Sequence, residues 1–462
     1  MNTSSSQSLK TVEIIKDKLF WISSKNPPKN QPNAYFFNID EDLVYEPFFA
    51  DFGPLNIGKT YRFIQELDKL LNDANYAKSK FYHHTNLDMA KRANSAYLMG
   101  AFQVISLGKT AEEAWKPFQE SGLNFPDFRD ASYTTCTYKC TILDCLRGLE
   151  YAIKLKWFDM KTFNLRDYEF YEKVENGDLN WIIPGKFVAF SGPSGQTRDP
   201  DGYRRFTPED YVPIFKKLGV TTVIRLNNKQ YEKDRFTKNG IKHHDLYFLD
   251  GSCPSNDIIR SFLNIVEQEK GAIAVHCKAG LGRTGSLIAA YAMKHYKFLA
   301  PDFIGWIRLC RPGSILGPQQ QFLCDMQSTF HKLGENSPIL KSVYPNVREF
   351  LERRGNKGKD EKKSADMSPL EKKIARYGEE GQGNKLVDAK HKLKILTMDA
   401  TESTADISLE EVLPCIQVPH QSEKYFRGGR QVFKTTIVVG STEMVKVSRQ
   451  YSENLGSTKS QL

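Results

Sequence analysis

Long apolar runs are missing from this chain: none approaches the ~20 residues that a membrane-spanning helix needs. Cysteine is scarce, with eight in 462 residues, and most lie within apolar patterns. That excludes a disulfide-stapled scaffold and fits a reducing cytosol or nucleus. Zinc-type spacing is lacking too. Cys136, Cys140 and Cys145 show no two-residue knuckle, and core packing along one helix is expected for them, so neither a metal nor a cofactor is expected. The start, Met1 to Ser6, is polar, and no secretory leader is expected. Asn2 leaves no myristoylation site, and Ser460-Gln461-Leu462 offers no prenylation cysteine. Neither a membrane nor a nucleic acid is an expected partner.

What is present is one dense string, His276-Cys277-Lys278-Ala279-Gly280-Leu281-Gly282-Arg283-Thr284-Gly285. The apolar run 272–275 before it reads as a buried strand, and residues 286–297 after it read as a helix. A loop there wraps a helix N-terminus, where amides and dipole favour an anion. Thiols in such places ionise well below the ~8.5 of a free cysteine. Cys277 is therefore the expected nucleophile. Lys278, Ala279, Gly280, Leu281 and Gly282 form the expected phosphate loop, its glycines letting the backbone close around the anion. Arg283 is a bidentate clamp for two oxygens, which a lysine cannot match. Thr284 is placed to donate a hydroxyl to the sulfur, and His276 to orient the loop from beneath. No other cysteine in the chain has an arginine six residues later.

Attack on a phosphate ester also needs an acid for the leaving oxygen. Asp250, in Phe248-Leu249-Asp250-Gly251-Ser252-Cys253-Pro254, follows a strand-like run and precedes a helix near Ser255. Loops after strands of a parallel sheet share one edge, which would bring Asp250 beside Cys277. Asp245 is the rival acid, within the strand pattern.

The chain divides by composition. Residues 1–10 are expected to be disordered, 11–156 to form a first domain, 157–182 an acidic connector helix, and 183–335 the catalytic domain. Residues 336–462 read as a basic, largely disordered tail. The order strand, loop, small-residue helix recurs at 79–99, with Ala96-Tyr97-Leu98-Met99 echoing Ala290-Tyr291-Ala292-Met293. No cysteine or Arg-Thr-Gly occupies that loop, so it reads as a degenerate repeat. The expected fold class is α/β, each domain a central mostly parallel sheet flanked by helices.

These strings, with Glu172 to Trp181, Ala50 to Asn56, Arg311-Pro312-Gly313-Ser314 and Gly317-Pro318-Gln319-Gln320-Gln321-Phe322, resemble the cell division cycle fourteen family of dual-specificity protein phosphatases. The resemblance covers roughly residues 10–335 and implies two tandem dual-specificity-phosphatase-like domains followed by the disordered tail. It implies a cysteine-dependent, proline-directed phosphatase that forms a phosphocysteine and reverses cyclin-dependent-kinase Ser-Pro phosphorylation in mitotic exit. It implies Cys277 as nucleophile, Arg283 as clamp and Asp250 as general acid, with Gln319, Gln320 or Gln321 positioning the hydrolytic water. Glu169, Glu172 and Asp178 match an acidic groove that reads a basic residue downstream of a phosphoserine-proline pair. A nuclear and cytoplasmic location follows by the same resemblance, extending to nucleolus, spindle pole or basal body. The basic cluster from Arg353-Arg354 to Lys362-Lys363 would bind import or regulatory proteins.

Two rival readings are open at this point. A phosphoinositide phosphatase typically has a second basic residue where Leu281 stands, so Leu281 and the acidic connector argue against it. A phosphopeptide-binding scaffold would need a damaged nucleophile, clamp or acid, and all three are intact.

Overall fold

The computed structural model describes residues 10–355, apart from Asn30, Pro32, Thr134 and Asp201, and residues 382–399. The chain divides into two compact units, Met1–His391 and Lys392–Leu462, the second described only as the helical backbone of 392–399.

The first sheet has β1 (Thr11–Ile15), β2 (Leu19–Ser23), β3 (Ala34–Phe37) and β4 (Lys80–Thr85) in the order β1-β2-β4-β3. Its helices are α1 (Ile57–Leu71), α2 (Met89–Ile105), α3 (Ala111–Glu120) and α4 (Ile142–Lys154), with the short α5 (Leu165–Tyr171) following. The second sheet has β5 (Leu179–Ile183), β6 (Phe187–Phe190), β7 (Val220–Arg225), β8 (Lys242–Asp245) and β9 (Ala272–His276) in the order β5-β6-β9-β7-β8. Around it lie α6 (Pro208–Lys217), α7 (Asp234–Thr237), α8 (Asn256–Gln268), α9 (Gly282–Tyr296), α10 (Ala300–Cys310) and α11 (Pro318–Leu333). Two further helices are α12 (Pro338–Gly355) and α13 (Gln382–Asp399).

Each sheet is parallel except for its first strand, which pairs antiparallel with the second. The repeat expected from sequence is thus a repeat of topology: β4 and α2 take the place in the first sheet that β9 and α9 take in the second. The physical difference lies at the helix start. Asp88 caps α2, its side chain accepting from the Lys91 amide. A resident carboxylate there occupies the anion position at the dipole's positive end. The start of α9 has no side-chain cap.

The domains pack through α4 and α10. A Cβ on Gly148 would stand 2.2 Å from the Asp302 carbonyl oxygen, and one on Gly305 2.7 Å from the Cys145 Cα. Glycines on both helices let the backbones touch. Cys140 and Cys145 are buried with sulfurs 3.9 Å apart. Cys136 and Cys140 precede α4, which begins only after its cap Thr141, so the expectation of one cysteine-bearing helix is corrected.

Two boundaries also shift. β5 opens the second sheet at Leu179, four residues before the expected 183, and the connector helix covers only Leu165–Tyr171. The tail does not begin as a disordered segment: 338–355 is helical, with Val347 and Phe350 buried. Phe350 stacks on Tyr151 at 4.5 Å. Arg353 pairs with Glu150 at 2.7 Å and Arg354 with Asp302 at 3.1 Å. Those two arginines therefore join the helix to both domains. Lys362 and Lys363 lie outside the described residues.

Candidate active site

β9 is buried along its whole length at the middle of the second sheet. It delivers Cys277, itself 2% exposed, to the sheet's carboxyl edge. The loop that follows has every carbonyl tied from outside. Cys277 O accepts from His276 Nδ1 at 2.9 Å, and Lys278 O from the Gly192 amide at 2.9 Å. Ala279 O and Gly280 O each accept from Arg311 at 2.9 Å, and Leu281 O from the Gly285 amide at 3.0 Å. With its carbonyls bound outward, the loop turns its amide side inward, where an anion completes it. Gly280 makes the turn at φ +68°, and a Cβ there would stand 2.0 Å from Phe190 O. No other residue fits.

A buried relay sets the loop from below. His276 Nδ1 donates to Cys277 O, so its Nε2 is the acceptor, and Tyr231 Oη donates to it at 2.7 Å. Tyr231 Oη in turn accepts from His243 Nε2 at 2.9 Å. Burial lowers the His276 pKa to about 3, so the ring is neutral and holds this single tautomer. The orienting role expected for His276 is the one observed.

Arg283 is fully buried. Its Nη1 donates to Phe248 O at 2.9 Å, and its Nη2 lies 3.2 Å from Asp250 Oδ1. Arg283 is thereby anchored on the segment that runs from β8 to Asp250. Thr284 Oγ1 is buried with no hydrogen-bond partner among the described residues, so the expected bond to the Cys277 sulfur is not formed in this structure. Asp245 points elsewhere, to Arg225 at 2.6 Å. Burial raises its pKa, but the hydrogen bond and charge of Arg225 outweigh burial and the net shift is downward, which does not suit a proton donor.

The three glutamines separate by position. Gln319 Nε2 donates to Ser252 O of the acid loop at 3.0 Å, and a Cβ on Gly282 would lie 2.7 Å from its Oε1. Gln320 is held by Arg308 at 2.6 Å and by Asp130 at 2.8 Å. Gln321 is exposed and bonds Asp325. Of the three, Gln319 alone bridges the acid loop and the phosphate loop.

The three acids have different environments. Asp178 is buried, its Oδ1 2.9 Å from Arg311 Nη1 and 2.5 Å from Lys390 Nζ. Burial raises its pKa, but Arg311 and Lys390 more than offset this and hold it below the usual carboxylate range. Glu172 accepts from Asn56 Nδ2 of the first domain at 3.0 Å. Burial pushes its pKa up to about 7, against the charge of Lys59. Glu169 forms a bidentate pair with Arg62, one contact at 2.6 Å, which cancels most of its charge toward a ligand.

With this geometry in view, relatives can be compared. Residues 13–152 match the family "Dual specificity protein phosphatase, N-terminal half", and residues 202–297 match "Polymorphic toxin system, DSP-PTPase phosphatase". Dual specificity protein phosphatase CDC14C of Homo sapiens is 46% identical over 321 residues, 70% of this chain and 72% of that protein. The chain belongs to the CDC14 family of dual specificity protein phosphatases. CDC14A of Mus musculus and of Homo sapiens are each 52% identical over 337 residues, 72% of this chain but 56% and 57% of theirs. The chain thus spans a little over half the length of those two relatives. Among solved structures, Tk-PTP in the active form is 20% identical with a TM-score of 0.27, covering 34% of this chain and 97% of that one.

Four contributors in this CDC14 family member escaped the sequence reading: Arg311, Tyr231, Gly192 and Asp130. Asp130, from the first domain, accepts from the Gly317 amide at 2.6 Å and from Gln320, so it braces the segment that carries Gln319. Arg311 stood in a string noted for resemblance, but the carbonyls and carboxylate it binds lie at 178 and 279–280. Only the fold brings them together.

Proposed function

We propose that the protein hydrolyses phosphoserine, phosphothreonine and phosphotyrosine esters in other proteins through a phosphocysteine. Cys277 Sγ attacks phosphorus in line. The sulfur–phosphorus bond forms as the ester phosphorus–oxygen bond breaks, and Asp250 gives its proton to the departing oxygen. Arg283 and the loop amides hold the charge on the equatorial oxygens. Water, oriented by Gln319, then attacks phosphorus and gives its proton to Asp250. The sulfur leaves as thiolate, aided by Thr284, and inorganic phosphate is released.

The loop at 277–281, with its five carbonyls tied outward at an uncapped helix start, is the observation that carries this reading. Leu281 is fully buried and brings no charge to the rim, which disfavours a polyphosphorylated inositide. Glu172 and Asp178 support selection of Ser-Pro sites with a basic residue downstream. Family membership supports reversal of cyclin-dependent-kinase phosphorylation at mitotic exit, in nucleus and cytoplasm. A phosphopeptide panel varying the target residue, the following proline and the downstream base tests the substrate class. The reading expects Ser-Pro peptides with a downstream lysine or arginine to be hydrolysed fastest. Faster hydrolysis of a polyphosphoinositide would overturn it.

A further inference from the structure

An open hollow of about 550 Å³ lies between α1 and α5. Tyr61 and Arg62 line it from α1, Leu165, Arg166 and Phe170 from α5, and Lys173 from the turn that follows. Phe170 is 51% exposed, although the next residue, Tyr171, is buried. Successive helical residues face different ways, so Tyr171 serves the core and Phe170 the hollow. Arg62 is committed to Glu169 through their bidentate pair. Arg166 and Lys173 are exposed, and neither makes an ion pair among the described residues. Of the acids nearby, Glu66 is paired with Lys69 at 2.9 Å, and Asp167 accepts from Asn164 at 2.9 Å. The lining therefore carries three cations against one carboxylate, beside the apolar surface of Tyr61, Leu165 and Phe170.

We propose that this hollow is a distal docking site for the substrate, taking an acidic stretch with one apolar side chain that follows the downstream base on the same polypeptide. The proposal rests on the phosphatase reading above and extends its specificity. A path leads to the hollow from the phosphate loop. Arg311 binds the loop carbonyl of Ala279 and the carboxylate of Asp178. Glu172 comes next, close enough to Glu169 to feel its charge. Glu169 lies one turn back along α5 and borders the hollow. A substrate whose base sits at Asp178 and Glu172 therefore carries its following residues toward Arg166 and Lys173.

Charge sets the class of residue read. The groove is acidic where it selects a base and the hollow is basic, so a peptide with a base and then acids matches both in order. Arginine beside aromatic side chains is also the composition of interface centres. Phe170 offers an incoming leucine an apolar surface to cover. Arg166 can hold a carboxylate bidentately, and Lys173 adds a point charge. Because phosphoserine and anchor belong to one chain, docking at the hollow raises the local concentration of the phosphoserine at Cys277. Such binding lowers KM and leaves the chemical steps alone.

The test uses the full chain and two peptide series that share phosphoserine, proline and a downstream lysine. After a flexible spacer of about two to about ten residues, one series continues into Leu-Asp-Glu and the other into Ala-Asn-Gln. The proposal expects kcat/KM to be about tenfold higher for the acidic series at the best spacer, through KM, as one anchor contact would give. Phe170→Ser combined with Arg166→Glu and Lys173→Glu should abolish that difference and leave kcat/KM unchanged on a peptide ending at the lysine. None of the three residues belongs to the catalytic machinery. Equal rates for the two series at every spacer, or a difference that survives the triple variant, would overturn the proposal. Equal rates joined to a changed sedimentation coefficient in the variant would give the hollow to a second copy of the chain and overturn it as well. Fluorescence polarisation of the labelled peptides on Cys277→Ser separates the two readings. Tighter binding of the acidic series, with no turnover of either by the wild type, would retain the docking site and remove the phosphatase.

Discussion

Asp250 Oδ1 lies 3.2 Å from Arg283 Nη2, so the two residues proposed as proton donor and phosphate clamp touch. In the proposed reaction this carboxyl protonates the departing ester oxygen. Asp250→Asn keeps the shape and removes the proton. On phosphoserine peptides, whose alkoxide leaves poorly, kcat should fall by about 10²–10⁴. On an aryl phosphate with a good leaving group the fall should be much smaller. Parallel steady-state assays decide it, and equal losses on both would take Asp250 out of the acid role.

Selection for a downstream base should depend on pH. Burial holds the Glu172 pKa near 7, raised from its ordinary value, with Lys59 and Lys390 opposing and Glu46 and Glu169 reinforcing the shift. A raised acid is neutral below that pH and anionic above it. The preference for lysine over alanine at the downstream position should therefore strengthen from pH 6 to pH 8. Glu172→Gln should flatten that trend. A preference constant with pH in the wild type would remove Glu172 from substrate selection.

Arg311 joins the phosphate loop to the acidic groove through Ala279, Gly280, Asn180 and Asp178. Arg311→Ala leaves Asp178 buried without that partner. A loss of about 3–5 kcal/mol is expected for such a change, measured by urea denaturation. Tyr231→Phe is the milder version: His276 Nε2 loses its donor, at a cost of about 1–3 kcal/mol. If both variants matched the wild type, the loop would not be held as described.

The first domain should matter to the second chemical step. Asp130→Ala releases the Gly317 amide and Gln320, and with them the segment bearing Gln319. Misplacing a positioning group by about 1 Å can cost ~10²-fold. Stopped-flow assays with an aryl phosphate should show a product burst followed by slowed turnover. A loss without a burst would place Asp130 in substrate binding or attack.

Local pattern made much of this legible. The all-apolar β9, the glycines and the Arg-Thr pair are contiguous, so Cys277, Arg283 and their loop could be read directly. The topological repeat showed because β4 and α2 keep the strand, loop and small-residue order. The glutamine could not be chosen among three neighbours, because which one turns toward Gly282 depends on how Arg308 and Asp130 engage Gln320. Tyr231 and Arg311 were missed for the same reason: the partners that give them their place, His276 and Asp178, lie 45 and 133 residues away in sequence. The helix at 338–355 was missed for another reason. Its apolar positions Leu340, Val343, Val347 and Phe350 have helical spacing, but they sit among Lys, Arg and Glu that make the composition read as a solvated tail. Spacing was the available signal there, and composition masked it.

The most direct test of the chemistry is rapid-quench mapping with a ³²P-labelled phosphopeptide. The account predicts transient label on the peptide containing Cys277, lost at the rate of phosphate release, and no label or turnover in Cys277→Ser. Label on another residue, or hydrolysis that survives Cys277→Ser, would contradict it.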